Sequence, residues 1–293
     1  MRIVAFRAGG SHALGVVDGD RVINVTATGQ PAELGMALRQ RGGLSALAEA
    51  SAEATMGRRL ALASLDFQLP VTTPPKIVCL GLNYADHAAE GNHPLPTYPA
   101  LFMRSVMSLT PHGAPIVRPE CSEKLDYEAE LMVVIGRGGR HIPKERALEH
   151  VAGYSCFNDG SVRDYQRKST QWTMGKNFDA TGGFGPWLVT ADELPPGAKG
   201  LRIQSRLNGS VMQDSNTDQM IFDVATTIAI LSEGMTLEPG DLIAMGTPSG
   251  VGYPRNPPVF MKPGDVVEIE IEGIGVLRNP IVAEAAAQQS AAA

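Results

Sequence analysis

The order of apolar and polar residues along the chain predicts many short strands and few helices. Residues 2–6 and 13–17 carry apolar side chains at strand spacing, and the second segment turns at Asp18-Gly19 into 21–25. An Asp-Gly pair between alternating runs is a tight-hairpin signal. From Pro31 to Met56 the apolar positions move to helical spacing, with Pro31 at a helix start and a break at Gly42-Gly43. The Pro-containing stretch 69–75 then reads as a linker between a small amino-terminal unit, 1–70, and a larger one, 71–283. Beyond it, residues 76–80, 127–135, 153–157, 186–189, 202–207, 242–245 and 266–271 are short, rich in β-formers and bounded by Gly, Pro or Asn. Asn208-Gly209 marks a second hairpin. Helical spacing returns at 85–90, 144–150, 161–169 and 223–235. Strands and helices do not alternate regularly, which argues against a doubly wound parallel sheet and for a mixed, mostly antiparallel, β-rich α+β fold. The Ala-rich end, 284–293, has no apolar face to bury and reads as a flexible tail. No solenoid repeat is present.

Composition removes several function classes. A hydrophobic content of 43 % is enough for a sizeable core and excludes wholesale disorder. The formal net charge of −6 gives no support to nucleic-acid binding. Cys79, Cys121 and Cys156 form no CxxC pair, so neither a disulfide framework nor a structural zinc site is expected. The opening MRIVAFRAGG lacks the apolar run of a signal peptide, and no run reaches the ~20 residues of a membrane span. The expectation is a cytoplasmic protein with neither nucleic acid nor membrane as partner.

The strongest chemical signal is Asp126-Tyr127-Glu128-Ala129-Glu130-Leu131, followed by an apolar run. In a strand, residues two apart share a face, so Asp126, Glu128 and Glu130 project to one side. Stacked carboxylates entering a core repel one another unless a cation lies between them. Oxygen-only donors suit a hard divalent ion: Mg²⁺ first, with Mn²⁺ or Ca²⁺ as alternatives. A solvated edge-strand face is the other reading of the same alternation. Asp159, Arg163 and Gln166 follow at helical spacing, either as a helix cap and surface face or as an anion site beside a metal. Lys176 could add positive charge. On a helix, His87 and Glu90 stand three apart, so either the carboxylate orients the imidazole or the two form only a surface pair. The Gly-rich stretch 245–252 lacks the GK[ST] ending of a phosphate loop, and no GxGxxG is present, so nucleotide binding is rejected. Gly there permits close backbone approach to a small ligand.

Five ordered segments, GLNYADHAAE, LDYEAELMVVIG, FNDGSVRDYQ, GKNFDA with a later GP, and MGTPSGVG, resemble the fumarylacetoacetate hydrolase family. The resemblance spans roughly residues 76–282 and implies a mixed β-roll catalytic domain with a small α/β amino-terminal domain, usually as a homodimer. It matches Glu128, Glu130 and Asp159 to metal ligands. Arg163, Gln166, Lys176 and Thr247 match positions at or behind the substrate's carboxylate and oxo groups. His87 and Glu90 match a water-activating dyad on a mobile lid, with residues 91–98 of that lid expected to select the acyl chain. The implied activity is metal-dependent hydrolysis of a C–C bond in a 1,3-diketo acid such as an acylpyruvate, with Lys176 assisting. Isomerisation or decarboxylation of a related oxo acid is the alternative, and a non-catalytic oxo-acid-binding module a third reading. Two departures stand out. Asn177-Phe178-Asp179-Ala180 replaces a common S-F-D-T, displacing the threonine to Thr181, and Arg104 stands where many members have Lys.

Overall fold

Residues 129–135 are buried without exception, and the reason is visible in their two faces. Leu131, Val133 and Ile135 pack into one core with Ile203, Ile228 and Ile269, while Met132 and Val134 pack into another with Leu14, Leu47 and Leu188. A strand that is apolar on both sides belongs in the middle of a sheet covered on both faces. The computed structural model, which describes residues 1–54, 59–90 and 94–291, places it there.

The fold is the expected β-rich α+β type. A 12-stranded sheet runs through 59–61, Arg21–Asn24, Ser11–Asp18, Arg2–Ala8, Gly182–Thr190, Val151–Asn158, Ala129–Ile135, Leu242–Ala244, Ile77–Gly81 and Ala100–Met103, with two short strands attached off this path. Most pairings are antiparallel; Leu242–Ala244 on Ile77–Gly81 is parallel. One face is covered by a five-stranded sheet, with the helix Val224–Gly234 in the same core, and the other by the helices Leu34–Arg39 and Gly43–Ala52. The first strand pairs with Gly182–Thr190, so the amino-terminal residues extend the large sheet rather than forming one of their own. Among the described residues, no helix is long and apolar enough to cross a membrane.

Three expectations need correction. The first helix begins at Leu34, not at Pro31, because the Glu33 carboxylate caps it by accepting the Met36 N–H at 3.1 Å. The segment expected as a helix over 161–169 is a two-residue strand followed by the single turn Arg163–Gln166, so Asp159 does not cap it. The expected flexible tail instead leaves the last strand as a helix, Glu284–Ala291, whose first side chain accepts the Glu120 N–H at 2.8 Å. Met56, the expected end of the second helix, and residues 91–93 of the expected lid lie outside the described residues.

Candidate metal centre and oxo-acid site

The strand Ala129–Ile135 delivers Glu130 in phase with Met132, and the adjacent strand Val151–Asn158 ends just before Asp159. The Asp159 N–H donates to the Glu128 carbonyl at 2.9 Å, and the Asn158 side chain accepts the Glu128 N–H at 2.9 Å. These bonds bring three carboxylates together from two strand ends. Glu128, Glu130 and Asp159 are buried, each with an oxygen within 4.8 Å of the others'.

Asp126 does not join them. The strand breaks at Tyr127 and Glu128, which breaks the alternation that would have stacked Asp126 with Glu128 and Glu130. Its carboxylate instead accepts Arg163 Nε at 2.8 Å, Gly252 N–H at 2.8 Å and Tyr253 N–H at 2.9 Å.

Three buried cations answer the carboxylates. Lys176 Nζ lies 2.7 Å from Glu128 and 2.5 Å from Asp159, Arg163 lies 2.7 Å from Glu128, and Arg104 pairs with Asp159. Burial opposes the charge on Glu128, but Lys176 and Arg163 outweigh it and hold its pKa at about 2. Burial likewise opposes the Lys176 ammonium, yet Asp159 and Glu128 raise its pKa, so it stays charged. Glu130 differs. Its one hydrogen bond is from the Gly246 N–H at 3.0 Å, and no cation pairs with it among the described residues. Burial first, then the charges of Asp159 and Glu128, push it well above the carboxylate range.

This donor set fits a hard divalent ion. Glu130 lacks a counter-charge, and Glu128 and Asp159 each retain acceptor sites beyond their paired cations, since a carboxylate offers about four lone-pair sites.

His87 and Glu90 stand on the helix Ala85–Glu90, with His87 Nδ1 3.4 Å from Glu90 Oε2. Glu90 also accepts the Gly250 N–H at 3.1 Å, and Asp86 accepts Ser249 Oγ at 2.7 Å, which docks the helix on the Gly-rich loop. That loop serves the protein's own carboxylates: N–H groups from Gly246, Gly250, Gly252 and Tyr253 point to Glu130, Glu90 and Asp126. Gly246 has φ +85°, and a Cβ there would meet Asn83 Cβ at 2.8 Å, so glycine is required.

A cavity of about 620 Å³ gathers His87, Glu90, Glu128, Glu130, Arg163 and Lys176, together with Gln166 and Thr247. Of the residues matched to catalysis, substrate and metal, all but Asp159, which pairs with Lys176, line it; Asp126 and residues 94–98 of the expected lid do not. Gln166 accepts Arg163 NH1 at 2.9 Å, and Thr247 accepts Gln213 Nε2 at 2.7 Å. Thr181 does not line the cavity; it accepts Arg104 NH2 at 3.0 Å, buttressing the Asp159 pair. Sequence reasoning missed Gln213, which also accepts the Ala129 N–H at 3.0 Å, because no spacing links it to strands 84 residues away.

Residues 76–282 match the family described as "Fumarylacetoacetate (FAA) hydrolase C-terminal". The chain is 40 % identical over 289 residues, 96 % of its length and 90 % of the relative's, to a mitochondrial oxaloacetate tautomerase, fahd2, of Xenopus laevis. It is similar to the structure of a fumarylacetoacetate hydrolase from the psychrophile Exiguobacterium antarcticum, with TM-score 0.84, 35 % identity, and 97 % and 100 % of the two chains covered. Maleylpyruvate hydrolase of Sphingobium sp. SYK-6, in complex with manganese(II) and pyruvate, matches with TM-score 0.80 and 31 % identity, over 97 % of this chain and 99 % of that one.

Proposed function

The chain belongs to the fumarylacetoacetate hydrolase family, and we propose that it is a divalent-cation-dependent enzyme that interconverts the keto and enol forms of an oxaloacetate-type 2-oxo acid. The observation that carries this reading is a single cavity shared by a buried carboxylate cluster, a charged lysine and a histidine–glutamate pair. The relative aligned over 96 % of the chain is named for oxaloacetate tautomerisation, whereas hydrolysis is the name carried by structures at 35 and 31 % identity. This displaces C–C hydrolysis, the activity the sequence suggested first, to second place.

Glu128, Glu130 and Asp159 would hold the cation, which when bound supplies Lewis-acid polarisation to the oxo group. Lys176 adds a fixed positive charge at the same end of the cavity. Arg163 binds the adjacent carboxylate. Its Nε and NH1 are engaged by Asp126, Glu128 and Gln166, but its buried NH2 has no partner among the described residues, and an unmet buried donor costs about 1–3 kcal/mol until a ligand meets it. His87 takes a proton from the carbon beside the oxo group while the oxo oxygen gains one, giving the enol. In the reverse direction the enol O–H proton is lost and His87 returns a proton to that carbon. Glu90, at Nδ1, leaves Nε2 for that transfer and stabilises the imidazolium that forms.

Hydrolysis of an acylpyruvate is the second reading, favoured by one observation. Phe102 and Trp172, packed edge to face with centroids 5.6 Å apart, give the cavity an apolar wall that a four-carbon acid does not need. Both activities are assayed on one preparation with Mg²⁺: loss of the enol absorbance of oxaloacetate, and cleavage of acetylpyruvate. Tautomerisation is expected to dominate, and His87→Ala to lower it by roughly 10²–10⁴-fold. Cleavage without tautomerisation would reverse the two readings, and neither activity would reject both.

A further inference from the structure

We infer that Arg167 is a specificity-determining residue that takes the distal carboxylate of a dicarboxylic 2-oxo acid. The near end of that substrate rests on the function proposed above; the far end rests on separate geometry.

Among the described residues, three Arg or Lys side chains line the cavity: Arg163, Arg167 and Lys176. Arg163 is committed to Asp126 and Glu128, and Lys176 to Glu128 and Asp159. Arg167 has no carboxylate partner among the described residues, yet it is fixed. Its NH1 donates to the Tyr253 hydroxyl at 2.8 Å, and its guanidinium carbon lies 4.0 Å from the centre of the Tyr253 ring. A solvent-facing arginine held against an aromatic face gives up rotamer freedom before any ligand arrives, so less is lost on binding one.

The plate that holds it is itself anchored. Asp126 accepts the Tyr253 N–H at 2.9 Å and the Gly252 N–H at 2.8 Å, and the same carboxylate accepts Arg163 Nε at 2.8 Å. One buried carboxylate therefore positions both the inner arginine and the support of the outer one. Burial is the largest influence on Asp126 and raises its pKa, with Arg163 opposing. The two arginines are four residues apart, and the Arg167 N–H donates to the Arg163 carbonyl at 3.2 Å, so they share a helical face about 6 Å apart along the axis. Arg163 is buried and Arg167 exposed, which places the second at the mouth. With NH1 occupied by tyrosine, Nε and NH2 remain for a two-pronged carboxylate contact. A short dicarboxylate, chelating at its oxo-acid end, would present its other carboxylate there.

The test compares ligands that differ only at the far end. In Arg167→Met, kcat/KM for oxaloacetate should fall about 10- to 100-fold, mainly through KM, the loss expected of a charged hydrogen bond. For the 4-methyl ester of oxaloacetate, whose far end is neutral, it should change by no more than about twofold. Arg167→Lys should recover part of the loss. A binding arm uses 3,3-difluoro-oxaloacetate, which cannot enolise, against pyruvate, by calorimetry at saturating Mn²⁺. The variant should weaken the first and leave the second unchanged. A parent that binds the difluoro acid but turns over no oxaloacetate would reject the reaction while the binding arm still decides the arginine. Equal losses for charged and neutral far ends, or no loss, would overturn the inference and leave Arg167 as a cover for Tyr253.

Discussion

Glu130 is the carboxylate without a counter-charge, and the metal reading turns on it. Glu130→Gln keeps the shape and the acceptor for Gly246 but removes the negative charge. Calorimetric titration should show Mn²⁺ affinity falling by more than about 10-fold; unchanged affinity would show that the cluster holds no metal. Lys176 makes a second case. It is 2 % exposed and lies between Glu128 and Asp159, so Lys176→Met removes the shared cation and leaves Glu128 with Arg163 alone and Asp159 with Arg104 alone. The variant should lose most turnover, and its metal-free form should melt lower than the parent, with Mn²⁺ restoring much of the difference. Loss of turnover with an unchanged melting profile would mean that Lys176 does not neutralise the cluster. Glu128 and Glu130 were legible because alternation in a strand is a local rule. Asp126 was misplaced by the same rule, since nothing local announces that the strand breaks at 127. Arg104 was noticed only as a departure; its partner Asp159 is 55 residues away, a contact that only the fold creates.

At the scale of elements, the site depends on how closely two single-turn helices approach. Gly175 lies in Thr173–Lys176, and a Cβ there would meet the backbone of Gln166 at 2.4 Å. Gly175→Ala should therefore push that turn away from Arg163–Gln166 and carry Lys176 with it. The expected result is a folded protein by circular dichroism whose kcat falls by ~10-fold or more; parental kcat would show that the turns separate without moving Lys176. The sequence shows the long strands and the helix at 224–234 because their periodicity and their Asp223 cap are local. It does not show the short strands 100–103, 109–111 and 116–118. Ile116 pairs with Ile281, and three residues carry too little pattern to announce a partner so distant. The helix Ala85–Glu90 was legible, but its docking through Asp86 on Ser249 was not.

Across the whole molecule, the amino-terminal strands and the five-stranded sheet meet near His112. Its ring packs edge-on to Phe67 with centroids 4.8 Å apart, and its Nδ1 accepts the Arg278 N–H at 3.1 Å. Burial, aided by the Arg278 charge, lowers its pKa from the ordinary value near 6.5. The unfolded chain thus binds this proton at higher pH than the folded one does. The contribution is fully present above about 6.5 and is lost as pH falls from there through the lower folded value. Urea midpoints at about pH 7.5 and about pH 5.5 should therefore diverge more in the parent than in His112→Gln, which keeps an acceptor that does not titrate; equal divergence would remove His112 from the pH response. The mixed sheet-rich class was readable from composition and spacing, whereas a large sheet continued by the amino-terminal strands depends on the distant pairing of Arg2 with Val189. The proposed activity joins a carboxylate-held cation to proton transfer on an oxo acid. Its most direct test is to titrate Mn²⁺ into chelator-stripped protein while recording the keto–enol rate of oxaloacetate. The rate should climb to a break at a single ion per chain in the parent and stay near background in Glu130→Gln at the same Mn²⁺ concentrations. A rate that survives stripping, or a Glu130→Gln curve that overlays the parent, would contradict it.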